Sequence, residues 1–401
     1  MRLGYLYSRY PVLSQTFCDT EMLELERRGF DLVIASMYPP KTPVRHEYLA
    51  RLRAPIHYAP EKVKLEKLVR NAKQKGRWPE RLIAEHERKY GPEYKAALRA
   101  RNALFFVDLF EREKVNHVHV HFANRAAHTA LFVNAISAIP FSMTAHGQDF
   151  MTDLGNEELL CEICGKAEFV AAETNFSRDL LAAQCPASAG KTLRVYNGME
   201  LKKFSAAIDS TARAAGPVRL LSVGRLVEFK GFDVLLDACA ELQRNGIDFR
   251  CEIIGDGELR DELRARANEK NVTEKIHFSG ERSQDYVLGA LAACDIFVLA
   301  AIVDRRGASD VFPTVIAEAM TSAKPVVSTT VAGIPELVAN NETGLLVSPR
   351  DHSALAGALT RLISEENLRA RFGRAGRQRI ERNFTIEHTI EPLLAKLAGS
   401  A

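Results

Sequence analysis

The chain has 401 residues, of which 46% are hydrophobic and 26% are charged, and its formal net charge is +3. This length predicts two domains of about 150–200 residues each, and the composition is that of an ordinary globular protein. The small net charge gives no indication of nucleic-acid binding, no apolar run approaches the roughly 18–20 residues of a membrane span, and the first residues are typical of a strand rather than a signal peptide, so we expect a cytoplasmic location.

The first half of the chain alternates strands and helices. Ser14 is predicted to cap a helix that carries Phe17 and ends at Gly29. Strands are predicted at 2–7, 30–35, 117–122, 140–145 and 168–172. Strands separated by helical stretches indicate a parallel sheet with helices on both faces. His117, His119 and His121 alternate along one strand, and we interpret them as packing residues rather than metal ligands.

Residues 60–102 form a basic insertion, with 13 Lys or Arg against 6 Asp or Glu. Two interpretations are open. One is a solvated helical insertion, and the other is a basic, partly apolar surface that rests on an anionic membrane. Nucleic acid is a weaker candidate, because no recognition motif accompanies the charge.

The second half repeats the alternation. A helix is predicted at 232–242, and strands at 219–223, 249–254, 276–278, 296–299 and 325–328. The predicted fold is α/β, with two doubly wound parallel-sheet domains facing across a cleft, where ligands bind at the carboxyl ends of the strands. The predicted divisions are a domain at 1–200, an aperiodic linker at 201–216, a domain at 217–380, and a C-terminal helix at 381–401 that packs on the first domain.

Seven cysteines are scattered along the chain, and Cys161 and Cys164 are its only CxxC pair. A zinc site needs a second pair at suitable spacing, which the sequence lacks. We therefore expect both to be reduced thiols packed in the core.

Two carboxylates, Asp310 and Glu318, flank a predicted helix start. Backbone N–H groups at such a start are unpaired and attract phosphates or polarised sugar oxygens. Carboxylates on either side suit a ligand with hydroxyls at both ends and phosphates in the middle, as in a sugar nucleotide. The alternative is an ordinary acidic residue near a helix N-terminus together with a solvated Glu.

Two basic residues, Arg225 and Lys230, stand on a glycine-containing loop between a strand and a helix. Glycines permit a tight turn and a close backbone approach, and the two cations suit a diphosphate. In the first half, His146 follows a strand with Gly147 beside it. A neutral imidazole there can hydrogen-bond a sugar hydroxyl, although a structural histidine bonded to the backbone is the alternative.

With these residues identified, the chain resembles the GT-B retaining glycosyltransferases of family 4, and in particular their colanic-acid and exopolysaccharide branch. The resemblance covers nearly the whole chain. It is carried by ordered motifs at 10–17, 119–123, 144–147, 196–200, 224–231, 254–257, 310–320 and 384–385.

The resemblance implies a role for each matching position. Asp310 contacts donor-sugar hydroxyls, Glu318 binds the nucleotide ribose, and Arg225 and Lys230 hold the diphosphate. His146 lies near the transferred sugar. The remaining donor-binding positions implied are Val311, Phe312, Pro313, Thr314 and Gly255, with Arg282 in the 281–283 segment that cradles the base.

Two motifs depart from the family pattern. Asp310 replaces the usual Glu, Val311 replaces a Gly, and Ser14-Gln15 replaces a glycine loop. The implied reaction is transfer of a sugar from a nucleoside diphosphate to an acceptor hydroxyl with retention, without a metal or other cofactor. The implied acceptor is a sugar or a lipid-linked glycan, with the enzyme in the cytoplasm or on the inner membrane face. The alternatives are a catalytically silent sugar-nucleotide-binding protein and a sugar-nucleotide epimerase on the same fold.

Overall fold

In the computed structural model of the chain, the structure describes residues 1–41, 46–207 and 216–399. The chain divides into two compact units. The first comprises Met1–Tyr196 with Ile390–Ala401, and the second comprises Asn197–Thr389. Each unit contains one parallel sheet whose strands are joined by helices, which confirms the predicted α/β class.

The first unit is built on a seven-stranded sheet with the order β3-β2-β1-β4-β5-β6-β7. Its strands are β1 (Arg2–Arg9), β2 (Asp31–Tyr38), β3 (Ile56–Tyr58), β4 (His117–His121), β5 (Phe141–Ala145), β6 (Val170–Ala172) and β7 (Thr192–Arg194). β1 pairs with β2 on one side and β4 on the other, so the strand order reverses between β1 and β4. Ligands of open α/β sheets bind beyond the carboxyl ends of the strands at such a reversal.

Seven helices connect these strands. They are α1 (Thr16–Arg27), α2 (Lys62–Gln74), α3 (Glu80–Tyr90), α4 (Ala96–Arg112), α5 (Arg125–Ser137), α6 (Glu157–Lys166) and α7 (Asn175–Gln184). α1 begins one residue later than predicted, because Gln15 and not Ser14 occupies the N-cap, and Gln15 makes no side-chain cap. Gly29, with φ of +88°, follows the helix end as predicted.

The second unit is built on a six-stranded sheet with the order β10-β9-β8-β11-β12-β13. Its strands are β8 (Val218–Val223), β9 (Phe249–Ile254), β10 (Ile276–Gly280), β11 (Ile296–Val298), β12 (Val326–Thr329) and β13 (Gly344–Val347). Its helices are α8 (Phe232–Arg244), α9 (Arg260–Glu269), α10 (Gln284–Ala293), α11 (Thr314–Thr321), α12 (Ile334–Leu337), α13 (His352–Ser364), α14 (Glu366–Asn383) and α15 (Ile386–Thr389). The order reverses here between β8 and β11.

The predicted strands agree with those observed to within about three residues at each end. Three short strands were not predicted, namely β3, β7 and β13, each of three or four residues. Such segments are too short to show the alternation that identifies a strand in a sequence.

The division between the units lies at Tyr196 and Asn197, ahead of the predicted linker at 201–216. Met199 explains the difference, because it pairs with Thr385 and its N–H donates to the Phe384 carbonyl at 2.8 Å. Residues 201–207 form a short 3₁₀ helix, and positions 208–215 of the predicted linker lie outside the described residues.

The last helix, α16 (Glu391–Gly399), is part of the first unit. Leu393 and Leu397 are fully buried, and Glu391 forms an ion pair with Arg28 at 2.8 Å. Residues 381–389 of the predicted C-terminal helix belong instead to the second unit, as the end of α14 and α15.

The basic insertion is only partly solvated. Leu65, Ala72, Ile83, His86 and Tyr90 are buried along one side of α2 and α3, while most of the charged side chains on these helices are exposed. No helix among the described residues combines the length and the apolar character that a membrane span requires.

The cysteine prediction is wrong for one residue. Cys161 on α6 forms a disulfide with Cys185, which caps the end of α7, at a Cα–Cα distance of 5.0 Å. Cys164 is a buried free thiol, as expected. The pairing depends on how α6 and α7 pack, which the spacing of the cysteines does not reveal.

Candidate functional site

In the second unit, three loops meet at the carboxyl edge of the sheet. The loop after β8 turns at Gly231, whose φ is +66° and where a Cβ would lie 1.8 Å from the Ala300 carbonyl oxygen. The loop after β9 turns at Gly255, where a Cβ would lie 1.9 Å from the Gly224 carbonyl oxygen. Only glycine permits both approaches, so these residues set the backbone positions around the predicted phosphate site.

Two of the predicted site residues are in direct contact. The Lys230 ammonium lies 2.5 Å from an Asp310 carboxylate oxygen, and both side chains are largely buried, at 11% and 17% exposure. Lys230 comes from the loop after β8 and Asp310 from the loop after β11, the two strands between which the sheet order reverses. The structure thus joins the predicted phosphate-binding cation to the predicted sugar-binding carboxylate.

Phe229 aligns the two basic residues of this loop. The guanidinium of Arg225 and the ammonium of Lys230 lie 5.7 and 5.9 Å from its ring centroid. Phe229 is buried, and its carbonyl accepts a hydrogen bond from Ile302 N–H at 2.9 Å, which ties the loop after β8 to the loop after β11. The two predicted diphosphate ligands therefore share one rigid support.

α11 begins at Thr314, between the two carboxylates, as predicted. Pro313 is the N-cap, and the buried side chains of Val311 and Phe312 anchor the preceding segment. The N–H groups of Ile316 and Ala317 donate to the Pro313 carbonyl at 2.9 and 3.4 Å, whereas those of Thr314 and Val315 precede the first hydrogen bonds of the helix. Ser309, which the sequence interpretation missed, is buried, and its hydroxyl has no hydrogen-bond partner among the described residues.

Glu318 lies one turn into α11. Burial raises the pKa of its carboxyl from the ordinary value to about 7, and the positive charge of Lys203 partly offsets this. No side-chain hydrogen bond to the carboxyl is formed within the described part of the chain, so the group is available to the hydroxyls of a ligand.

Arg282 lies apart from this group. It is exposed on the loop after the edge strand β10, and its guanidinium lies 4.9 Å from the ring centroid of Tyr286. Tyr286 in turn donates to Glu252 at 2.9 Å. The flat ring and guanidinium form a stacking surface at the carboxyl edge, and the role of Arg282 in holding a base stays a prediction.

In the first unit, His146 belongs to a buried chain of hydrogen bonds. Its Nδ1 lies 2.8 Å from Glu173, and its Nε2 lies 2.8 Å from His121 Nδ1. His121 Nε2 lies 2.9 Å from Glu21, which also accepts a bond from the Tyr5 hydroxyl at 2.5 Å. Both ring nitrogens of His146 are thus occupied by protein groups, and bonding a sugar hydroxyl requires one of these bonds to be exchanged.

Each ring of this chain of hydrogen bonds has a carboxylate at one nitrogen and the other ring at its second nitrogen. Burial lowers the pKa of His146, but the carboxylates of Glu173, Asp149 and Glu21 together outweigh burial, so the pKa of His146 is raised. Burial lowers the pKa of His121. The raised pKa favours a protonated His146, whereas the sequence analysis considered a neutral imidazole there.

The position of His146 is fixed on all sides. Phe17 and Phe122 lie against its ring, with centroid distances of 4.7 and 4.6 Å. Asp149 accepts a bond from its N–H at 2.9 Å and another from the N–H of Ala123. Burial raises the pKa of Asp149 to about 6. Phe122 has φ of +77°, an uncommon value for a bulky residue that is typical of functional loops.

Glu21, His119 and His121 place their ligand atoms within 4.8 Å of one another. His119, however, contacts Ser142 at 2.8 Å and Thr144 at 2.9 Å, and the ligand atoms of Glu21 and His121 are engaged in the chain described above. Because these atoms already have protein partners, the group is better explained as a hydrogen-bond network than as a metal centre.

The sequence interpretation did not assign roles to Glu21 or Glu173. Both lie outside the motifs at 119–123 and 144–147, and only the folded chain brings them to His121 and His146. A weak signal was available for Glu173, because it directly follows a predicted strand at the edge where ligands bind.

Comparison with known proteins agrees with this geometry. Residues 204–379 match the family model described as glycosyl transferases group 1. Over 99% of both chains, the protein is 27% identical to the amylovoran biosynthesis glycosyltransferase AmsK of Erwinia amylovora. It is also 32% identical to the putative colanic acid biosynthesis glycosyltransferase WcaL of Salmonella typhimurium, over 50% of this chain and 49% of that protein.

Among solved structures, the fold is similar to that of Anabaena HepE in complex with UDP, with a TM-score of 0.76, 17% identity and complete coverage of both chains. It is also similar to a sucrose-phosphate synthase from Thermosynechococcus elongatus, with a TM-score of 0.71, 18% identity and complete coverage of both. The fold is that of the GT-B glycosyltransferases. The match to the group 1 glycosyl transferase model lies within the second unit, which also contains the Lys230–Asp310 pair.

Proposed function

We propose that this protein transfers a sugar from a nucleoside-diphosphate sugar to a hydroxyl of a glycan acceptor in exopolysaccharide assembly. The single observation that carries the proposal is the Lys230–Asp310 pair at 2.5 Å, at the start of α11 and beside Arg225. The names of AmsK and WcaL, and the UDP and UDP-glucose complexes of HepE, support the substrate class.

The pair suggests how the donor is received. Diphosphate oxygens replace Asp310 as the partner of Lys230, while Arg225 and the N–H groups at the start of α11 bind the remaining oxygens. Asp310 is then free to accept hydrogen bonds from hydroxyls of the sugar. Glu318 receives the ribose hydroxyls. Ser309 offers a further hydroxyl beside Asp310.

We infer a retaining reaction that needs no metal. Arg225, Lys230 and the helix start neutralise the charge of the leaving diphosphate, which is the task that a metal performs in other transferases. In the donor complex Asp310 accepts hydrogen bonds from sugar hydroxyls rather than acting as a nucleophile, so attack by the acceptor on the face from which the diphosphate leaves accounts for retention. In the first unit, the raised pKa of His146 favours the positively charged form of its ring.

The experiment is a donor screen. UDP-, GDP- and ADP-sugars are tested by thermal shift, because a ligand selective for the native state raises its melting temperature. Release of the nucleoside diphosphate is then followed with and without a chelator, and the product anomer is determined by NMR. Binding with no turnover over a broad acceptor panel contradicts a transferase and indicates a silent binding protein. Interconversion of free sugar nucleotides without an acceptor indicates an epimerase.

We further propose that α2 rests on an anionic membrane surface on the cytoplasmic side. Val63 on this helix is 72% exposed and lies among exposed lysines. Beside it, α2 and α4 border a groove of about 480 Å³ lined by Val69, Arg70, Lys73, Trp78 and Arg101, among others. Lys73 lies 5.9 Å from the Trp78 ring centroid. Cations around apolar side chains are typical of surfaces that bind lipid headgroups.

A further inference from the structure

One buried guanidinium in the first unit has no partner of opposite charge. Arg99, in the first turn of α4, is 5% exposed. Its Nε is fully buried and has no hydrogen-bond partner, and the side chain forms no ion pair with any described residue. A buried charge without a partner is costly and rarely occurs without a function.

The surroundings of Arg99 are positive. Burial lowers the pKa of its guanidinium, and Arg125 lowers it further, while Tyr38 acts in the opposite direction. His128 also lies near, but burial holds its pKa at about 3, so it is neutral. Arg125 is exposed and has no ion pair with a described residue. The two arginines lie in the first turns of α4 and α5, which pack against each other, and neither forms an ion pair with a described residue.

The topology places both arginines at the ligand-binding edge of the sheet. α4 precedes β4 and α5 follows it, so the first turns of both helices lie at the carboxyl ends of the strands. Arg125 is the first residue of α5, which is capped by Asn124. Thr129 on the same helix contacts Met37 near the end of β2 at 3.9 Å. The site thus lies beside the reversal of strand order between β1 and β4.

The terminal nitrogens of Arg99 are open. They make no hydrogen bond with the described residues, and unlike Nε they are not among the buried unpaired atoms. The buried stem therefore ends in donors at the first turn of α4, which packs against α5, and at the start of α5 the Asn124 side chain accepts from the Ala126 N–H at 3.2 Å. Two guanidinium groups and a helix start form a site for an oxyanion.

We propose that Arg99, Arg125 and the start of α5 bind an oxyanion of the acceptor, either a phosphate of a lipid-linked glycan or a carboxylate of an acidic sugar. The identification of the anion as part of the acceptor rests on the proposed function, whereas the anion site itself does not depend on turnover. Arg99 and Arg125 are binding residues here, remote in sequence from every donor-site residue in the second unit.

The first test measures anion-dependent stability, with no sugar substrate. The full chain, saturated with nucleoside diphosphate to fill the donor site, is titrated with pyrophosphate in one arm and glucuronate in the other, at constant ionic strength. We expect one of them to raise the melting temperature of the parent protein. Arg99→Met and Arg125→Gln should weaken that anion by at least tenfold, whereas Arg112→Gln, exposed at the far end of α4, should bind it as the parent does.

The same variants distinguish binding from a structural role. Without an added anion, Arg99→Met should be at least as stable as the parent, because it removes an unpaired buried charge and keeps most of the side-chain volume. A lower melting temperature for Arg99→Met without the anion, or equal anion binding by parent and variant, overturns the proposal.

The two arms also identify the source of the anion. Tighter pyrophosphate binding assigns a phosphorylated acceptor, and tighter glucuronate binding assigns an acidic glycan. If neither anion stabilises the parent protein, the site is refuted, whatever the donor assays show. If anion binding is lost in Arg99→Met but no donor is ever turned over, the proposed function fails while the anion site stands.

Discussion

At the level of single residues, the ion pair of Lys230 with Asp310 joins the predicted phosphate-binding cation of the candidate site to its predicted sugar-binding carboxylate. Each side chain has its partner before a donor arrives, so neither charge is left unpaired in its largely buried surroundings. The Asp310 carboxylate already lies within ion-pair distance of the Lys230 ammonium, and the longer Glu that the family resemblance implies at this position would have to fold back to make the same contact.

The first prediction concerns the cations. Lys230→Ala and Arg225→Ala should each cost about 1.5–3 kcal/mol of nucleoside-diphosphate affinity, the usual value of a charged hydrogen bond. Asp310→Asn should bind the nucleoside diphosphate at least as well as the parent, because it releases Lys230, yet turn over far more slowly. Calorimetry and turnover rates measure both effects. Arg219→Ala, at the opposite end of β8, is the control, and unchanged binding in Lys230→Ala would refute the phosphate assignment.

The second prediction is a pH dependence set by Glu318. Its pKa of about 7 means that the carboxyl is half ionised near neutrality. Because the ionised form accepts hydrogen bonds from both ribose hydroxyls, nucleoside-diphosphate affinity should rise between about pH 6 and 8, beyond what the parent phosphate titration explains. Glu318→Gln should bind more weakly and lose this rise. An identical pH profile in parent and variant contradicts the role.

The raised pKa of Glu318 also predicts how the stability of the folded protein changes with pH. The folded pKa lies above the ordinary value of 4.5, so the folded protein retains a proton that the unfolded chain releases. The resulting stabilisation is fully present below pH 4.5 and is lost as the pH rises through about 7. Calorimetric unfolding of Glu318→Gln should show a correspondingly smaller loss of stability over that interval.

At the level of elements, the loops at the carboxyl edge of the second sheet depend on glycines where backbones meet. The loop after β8 packs on the loop after β11 at Gly231, and it carries both predicted phosphate ligands. A displacement of this loop therefore moves Arg225 and Lys230 together.

The third prediction compares two glycines with similar backbone angles. Gly231 (φ +66°) meets the Ala300 carbonyl, whereas Gly246 (φ +71°) has nothing within 4 Å of an added Cβ. Gly246→Ala should lower the free energy of unfolding by about 1–2 kcal/mol, which is the cost of placing a residue with a side chain in a left-handed backbone conformation. Gly231→Ala should cost at least about 2 kcal/mol more, because backbone must move, and should also weaken donor binding. Denaturant unfolding measures both variants, and equal losses would show that the loops do not depend on this contact.

The fourth prediction tests the exposed face of α2. Flotation with anionic vesicles at low salt should recover the parent protein, and binding should weaken as salt rises, because surface charges are screened. Val63→Glu should reduce recovery, since it places a negative charge on the most exposed apolar residue of the insertion. Val303→Glu, which changes an exposed residue of the second unit in the same way, is the control. Binding that strong salt leaves unchanged contradicts the electrostatic model.

At the level of the whole molecule, the two units are not two consecutive segments. The chain leaves the first unit at Tyr196, completes the second, and returns at Ile390 to add α16. The first unit therefore requires residues that are about 190 positions apart in the sequence, and its stability depends on the C-terminal helix.

The fifth prediction follows from this return of the chain. Leu393 is fully buried on α16, whereas its neighbour Leu394 is only partly buried. Leu393→Ala should cost about 2–5 kcal/mol of stability in the first unit, because it leaves a cavity, and Leu394→Ala much less. Hydrogen exchange on β1 and β4 measures the effect. Equal protection of these strands in the two variants would show that α16 contributes little.

Patterns along the chain determined the class of fold and indicated where a donor site is expected. Strand alternation gave both sheets to within a few residues, because β-branched and aromatic runs between helices are local signals. Asp310, Arg225 and Lys230 were predicted as donor-site residues because each lies at a strand end or next to a helix start, where the local backbone favours an anion, and Glu318 was predicted from its place one turn into α11; their roles stay predictions. The helix start at Thr314 was predicted for the same reason.

The tertiary structure decided whatever depends on contacts between distant segments. No spacing reveals that Lys230 pairs with Asp310, that Cys161 pairs with Cys185, or that Glu21 and Glu173 hold the two imidazoles between them. The raised pKa of His146 also depends on such neighbours, because the carboxylates of Glu173, 27 residues away in the chain, Asp149 and Glu21 together outweigh the effect of burial. In the sequence, Arg99 cannot be distinguished from the other charged residues of a basic helix. Only packing shows it to be buried without a partner, since burial and electrostatic pairing are properties of the folded chain.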